Sequence, residues 1–277
     1  MPIVSFWSTV ESTQTSTTST AVAVANAIAT RQDVGYKTLL MQTHYNNFDM
    51  ETSYYNMNKM SSKGSLDIAD TGIDALDRLL RSNKLTPENI PNYAKPVLKG
   101  KLELLYGTFK NDKDSYERVL ETMPMIVDYA SQLYDMVFVD LNRGYGNAAM
   151  TQILQKSDLI VLTMSQKTEV LKKLFKDVED LKIFKEKPVI SVIGRYDRFS
   201  KYNAKNISRT FNYKKPIYCI PYNTQFFDAC NEGRALNFFV ENMNADIATD
   251  RNGYFISEVN KISNEILESL KSKLVER

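Results

Sequence analysis

The sequence is poor in the side chains that most enzymes use for chemistry. It has two cysteines, Cys219 and Cys230, and one histidine, His44. Two thiols eleven residues apart, with no histidine nearby, make neither a disulfide framework nor a metal site, so buried free thiols are expected. One histidine cannot build a His-based ligand cluster. His44 and the single tryptophan, Trp7, are assigned to packing or strand-end hydrogen bonding. No run approaches the roughly 18 apolar residues of a membrane span, and no basic segment precedes the first apolar one, which predicts a cytoplasmic protein. Charge of one sign is also missing. The 35 Lys and Arg against 33 Asp and Glu leave a net +2, which excludes a chain that grips nucleic acid over its whole surface. The sharpest absence is local: no glycine precedes Gly35, no cation precedes Arg31 and no lysine precedes Lys37.

What is present is the composition of a globular protein, 43% hydrophobic and 25% charged. Short apolar runs at 3–7, 38–41, 136–140, 159–164, 189–193 and 217–220 read as buried parallel strands, and 102–106 as a further one. Between them the spacing turns helical: 18–30, about 65–82, 116–130, 170–181 and 201–211. This alternation predicts an α/β fold, a mostly parallel, doubly wound sheet of about seven strands flanked by helices. No low-complexity linker or internal repeat divides the chain, so one domain over 1–277 is expected. The segment 46–100, with Pro87, Pro91 and Pro96, reads as an insertion. Ligands of such sheets bind beyond the carboxyl ends of the strands, which places Trp7, Gln42 and Asp140 at one edge.

After Trp7 comes a run from Ser8 to Thr20 rich in Ser and Thr, and then an Ala-rich helix. Strand, polar loop and helix is the context of a phosphate loop, whose glycines let the backbone wrap phosphate and whose lysine neutralises it. Neither residue type is here, and the only charge in the loop is Glu11. Two readings stand. The hydroxyls and amide groups of Ser16, Thr17, Thr18 and Ser19 hold a phosphate weakly, or they simply cap a helix.

The rest of the chain supplies an order of motifs. An apolar strand ends in Asp140, as in a Walker B segment, and Asn142-Arg-Gly144 follows it. Then come Ser157–Thr163 (SDLIVLT), Ile193-Gly-Arg-Tyr-Asp197, and Ile220-Pro-Tyr-Asn223 leading into 228–233. With Phe6-Trp7-Ser8 and Thr17-Thr18-Ser19, this order resembles the deviant-Walker ATPases of the ParA/MinD type across nearly the whole chain. Within them it looks closest to the TadZ (CpaE-like) branch of Flp/Tad pilus assembly.

Carried over residue by residue, the resemblance implies a degenerate Walker A loop. The loop lysine falls on Thr17, and the signature lysine that reaches a partner's nucleotide falls near Glu11 or Ser12. The acid that prepares the attacking water falls on Gln42, and the adenine-contacting Asn on Gly194. The Mg²⁺ hydroxyl is kept at Thr18 and the Walker B carboxylate at Asp140. Asp140 either assists Mg²⁺ or merely hydrogen-bonds Thr18. Losing a charge-assisted partner of a desolvated anion costs on the order of 2–4 kcal/mol, so ATP and Mg²⁺ are expected to bind weakly at most. Little or no hydrolysis is expected.

The resemblance implies a homodimer working with protein partners of a positioning or assembly machine, located at a pole or the inner membrane face through those partners. Its rival is an active ATP-driven switch with an unorthodox loop. The segment 195–215 holds seven cations against the single acid Asp197. Its Arg195, Arg198, Lys201, Lys205 and Arg209 form either a DNA-binding patch or a solvated face. The apolar residues of 255–275 predict a helix packed on the sheet, preferred over a membrane-surface helix because Glu258, Glu265 and Glu268 balance its lysines.

Overall fold

The computed structural model describes residues 1–11, 13–55 and 71–275. Five runs whose side chains are apolar and β-prone become strands buried on both faces: β1 (Ile3–Trp7), β2 (Thr38–Gln42), β4 (Leu102–Leu105), β5 (Met136–Asp140) and β6 (Leu159–Met164). β3 (Lys95–Leu98) precedes β4, while β7 (Val189–Tyr196) and β8 (Ile217–Pro221) complete one sheet of eight strands. Its order is β3-β4-β2-β5-β1-β6-β7-β8, parallel throughout except that β3 runs antiparallel to β4. The eighth strand goes beyond the sequence reading. It is a short edge strand containing Pro96, and proline is tolerated there because the outer side has no ladder partner.

Helices cover both faces. α1 (Thr17–Thr30), α2 (Asp49–Thr52), α3 (Gly72–Arg81), α4 (Lys113–Leu133), α5 (Ala148–Lys156), α6 (Thr168–Asp180) and α7 (Ile183–Glu186) come first. α8 (Ala204–Thr210), α9 (Thr224–Asn231), α10 (Ala235–Asn242), α11 (Arg251–Ser269) and α12 (Lys271–Val275) follow. Alternate residues of β1 serve separate cores. Ile3 and Trp7 pack among residues of α3 to α7, whereas Val4 and Phe6 pack against α1, α10 and α11. Phe6 meets Phe138 edge-on at 5.2 Å, and truncating such a ring costs about 3–5 kcal/mol.

The 255–275 segment is helical and packed: Phe255, Val259, Ile262 and Ile266 of α11 all belong to the α1-side core. Among the described residues no helix is long and apolar enough to cross a membrane. Within 46–100 the chain forms α2, α3, a 3₁₀ turn at Pro87–Asn92 and β3, and residues 56–70 lie outside the described residues. The helix expected over 65–82 is α3 in its described part. Both thiols are free and partly buried, and burial pushes Cys219 and Cys230 up to about 12.

Candidate functional site

The register sets the site. Phe6 and Gln42 both pair with Asp140, so Trp7, Gln42 and Asp140 share the carboxyl edge of the sheet, as the sequence predicts. Next to them the chain leaves β1, passes a 3₁₀ turn at Thr13–Thr15 and enters α1 through Ser16. Ser16 takes a left-handed conformation, φ 55° and ψ 38°, and its hydroxyl caps nothing. It is 8% exposed and its Oγ has no partner. That differs from the capped-helix reading, because a capping serine would sit in the β region and accept from the first turn.

The candidate residues separate into two groups. Thr17 turns inward: its Oγ1 lies 2.7 Å from Thr163 Oγ1 and 3.3 Å from Thr15 Oγ1, so its side chain serves the β6 strand. Thr18 donates its hydroxyl to Asp140 Oδ2 at 2.6 Å. Ser16, Thr18 and Ser19 line a cavity of about 370 Å³ between the start of α1, the ends of β7 and β8, and α9. The amide groups of a helix's first turn have no partner within the helix, and they give this wall a positive field.

Three arrangements complete the site. His44 takes the strand-end hydrogen bond of its two expected roles: its Nε2 stands 2.9 Å from Asp140 Oδ2. Burial opposes the imidazolium, but the charge and hydrogen bond of Asp140 outweigh it, and the His44 pKa stands above its ordinary value. Glu51 is fully buried beside Gln42, whose Nε2 donates to Glu51 Oε2 at 2.5 Å and to the Asn47 carbonyl at 2.9 Å. Gly107 N–H donates to the other oxygen at 2.7 Å, yet burial raises the Glu51 pKa. Gln42 therefore holds the second strand's end in place through its amide.

The third arrangement concerns charge. The sequence reading places no cation at this site, but Arg143 and Arg195 both line the cavity, with Asp49 the only carboxylate among the lining residues. Arg143 follows β5, and its buried Nε has no acceptor. Glu11 is absent from the lining. It packs against Gly144 (φ +89°), where an added Cβ would meet Glu11 Oε1 at 2.8 Å, and this turn needs glycine for its backbone. Ser12 lies outside the described residues. Gly194 abuts the loop itself, with an added Cβ 2.7 Å from Ser16 Cβ and 2.9 Å from the Thr15 carbonyl. No side chain fits where the resemblance expects an asparagine. Part of the lining is aromatic: Tyr222 and Phe227 are half exposed, and the Arg195 guanidinium sits 5.3 Å from the Tyr222 ring centre.

The basic segment spans the end of β7 and α8. Arg195, Arg198, Lys201, Lys205 and Arg209 are all exposed, and among the described residues none pairs with an acid. Arg198 instead lies over Phe199 and Lys201 over Tyr202.

The mostly parallel eight-stranded sheet flanked by helices is a P-loop NTPase-like fold, the fold of solved ParA/MinD-type ATPases. No family model matches the sequence, and no curated protein does. Solved structures do. The cell division ATPase MinD of Pyrococcus furiosus is similar with a TM-score of 0.68, at 15% identity over 96% of this chain and 99% of that one. A ParA family ATPase from Chlorobium tepidum is similar at 0.65, 15% identity, 94% and 96%. A plasmid partition protein from Borrelia burgdorferi, solved with AMPPNP, gives 0.64, 16%, 96% and 98%.

The residues present fit a phosphate group in part. Ser16 Oγ, Asp140 Oδ1 and Arg143 Nε are buried polar atoms without partners, and a phosphate with a cation would satisfy atoms of all three kinds. Thr18 and Asp140 bring a hydroxyl and a carboxylate together, oxygen donors of the kind Mg²⁺ takes.

Proposed function

We propose that the chain is a ParA/MinD-like scaffold that positions or assembles a larger machine, similar to TadZ in pilus assembly, with a degenerate Walker A loop. One observation carries the reading. The loop after β1 brings no lysine or glycine, and the acid expected at the end of β2 is Gln42, an amide held by Glu51 and Asn47. An amide takes no proton from water, so ATP, if held, is turned over slowly or not at all. Thr18 and Asp140 would hold Mg²⁺ beside the phosphates, where the ion would supply charge neutralisation.

The scaffold is a homodimer that forms without nucleotide, works in the cytoplasm and reaches a pole or the inner membrane face through protein partners. The chain acts as one domain over 1–277, with 46–100 inserted. Sedimentation velocity tests this directly: the mass should be the same with and without ATP and Mg²⁺. ATP-driven conversion of monomer to dimer would instead establish the rival reading, an active switch. That rival is favoured by the retained Thr18–Asp140 contact, and its DNA partner would use the exposed strip from Arg195 to Arg209.

A further inference from the structure

Arg143 is the unusual group of this cavity. A guanidinium is always charged and carries five donors, so a buried Nε–H without an acceptor is costly unless something arrives to accept from it. Arg143 lines the same cavity as the start of α1, and so does Ser16, more than nine-tenths buried, its hydroxyl also without a partner. The start of a helix and two residues that each carry a buried donor without a partner, Ser16 and Arg143, therefore border one space. Tyr222 and Phe227, half exposed, also line it, with Arg195 over the Tyr222 face. Aromatic faces of this kind stack on flat heterocycles. The volume, about 370 Å³, lies within the range of small-molecule cavities, roughly 300–1,000 Å³.

We propose that Arg143, supplied by the turn after β5, takes the place of the absent loop lysine as the charge partner of a bound phosphate group, with Ser16 as a second donor and Arg195 at the rim. The ligand is a phosphate-bearing molecule, and the aromatic wall favours one that carries a base. Gly144 and Glu11 support the geometry. Glu11 packs on the glycine next to Arg143 and does not line the cavity, so the loop's one negative charge sits beside the turn and not among the phosphate donors. Among the described residues Asp49 is the one acid that lines the cavity, and it already accepts from Asn47 Nδ2 at 3.2 Å. The proposal is independent of the scaffold reading: a phosphate held by Arg143 requires neither hydrolysis nor dimerisation.

The test is calorimetric titration of the full chain with ADP, ATP, inorganic phosphate and adenosine. ADP should bind, and Arg143→Gln should weaken it by at least tenfold, Ser16→Ala and Arg195→Gln by a few-fold, and Arg209→Gln not at all. Arg143→Lys, which keeps the charge but loses the fork, should fall between. Thermal unfolding of each variant without ligand shows whether it is folded. Should Arg143→Gln unfold, the Arg143→Lys and Ser16→Ala titrations decide. ADP binding more tightly than phosphate assigns the site to a nucleotide. Phosphate binding as tightly, with the same loss in Arg143→Gln, assigns it to a free phosphate group; both carry the proposal. Adenosine binding as tightly as ADP, an unchanged affinity in folded Arg143→Gln, or no binding of any phosphate probe at millimolar concentration overturns it. In that last case the scaffold reading stands, because its own test is the sedimentation mass.

Discussion

Asp140 Oδ2 receives two groups at once, the Thr18 hydroxyl at 2.6 Å and His44 Nε2 at 2.9 Å. The three residues come from the start of α1, the end of β5 and the turn after β2, so one oxygen ties three segments of the carboxyl edge together. Asp140 is fully buried, and a lone carboxylate there would lack a balancing charge. Removing His44 leaves that charge with one hydroxyl. His44→Ala is therefore expected to lose about 3 kcal/mol, in the range for breaking a buried pair. The double change with Asp140→Asn should lose less than the sum, since the uncompensated charge disappears with its partner. Urea unfolding of the four proteins measures this, and strict additivity would refute the coupling.

Glu51 gives the pH dependence. Burial raises its pKa above the ordinary 4.5, although Gly107 and Gln42 donate to it and oppose the shift. The folded state thus holds this proton more firmly than the unfolded one. The contribution is fully present below about pH 4.5 and is lost as pH rises through the raised folded value. Glu51→Gln cannot ionise, so its stability relative to the parent should improve as pH rises from about 4.5 to the raised folded value and then level off. Denaturation midpoints taken across the pH range in both proteins test it; parallel profiles would mean that Glu51 does not titrate there.

How much of this was legible beforehand depends on how local each signal is. β1 and β5 announce themselves as apolar runs ending at Trp7 and Asp140, because a strand buried on both faces has no polar alternation to obscure it. β3 is only four residues long, begins Lys-Pro and is not fully buried, so its pattern carries neither period nor length. The Thr18–Asp140 contact follows from the motif order, but His44 and Glu51 do not. Each is a single ionisable residue whose partners are brought in from elsewhere: Asp140 lies 96 positions from His44, and Gly107 lies 56 from Glu51. The same holds for Arg143. It stands in a turn after a different strand, and only the fold brings it to the cavity beside the start of α1.

Gly194 tests the packing of the loop. Its missing side chain is what lets Thr15 and Ser16 approach β7, with contacts at 2.9 and 2.7 Å from an added Cβ. One of these neighbours is backbone and cannot swing aside. Gly194→Ala should therefore cost about 1–3 kcal/mol, as overpacking does. Gly194→Asn, which restores the polar residue that the resemblance expects, should cost at least as much and weaken any ligand bound beside Ser16. A thermal shift assay of both variants would show it, and an unchanged Tm would mean that the loop relaxes freely.

The last prediction concerns putting the lysine back. The resemblance expects a lysine at Thr17, but this threonine is fully buried and its hydroxyl links Thr15 to Thr163, which in turn donates to the Trp7 carbonyl at 3.2 Å. Thr17→Lys would break that chain and force an ammonium either into the core or round to the cavity. Stability should fall by about 2 kcal/mol or more, the cost of a buried polar group left without its partner. Thr17→Val keeps the shape and removes only the hydroxyl, so it should lose about 1 kcal/mol and separates the two effects. Activity should not return in Thr17→Lys, because Gln42 still offers no carboxylate to water and its amide is committed to Glu51 and Asn47. Phosphate release from ATP and Mg²⁺ decides the matter. Turnover above background in Thr17→Lys alone would show that the lysine was the only missing part, and that the end of β2 is not what holds hydrolysis back.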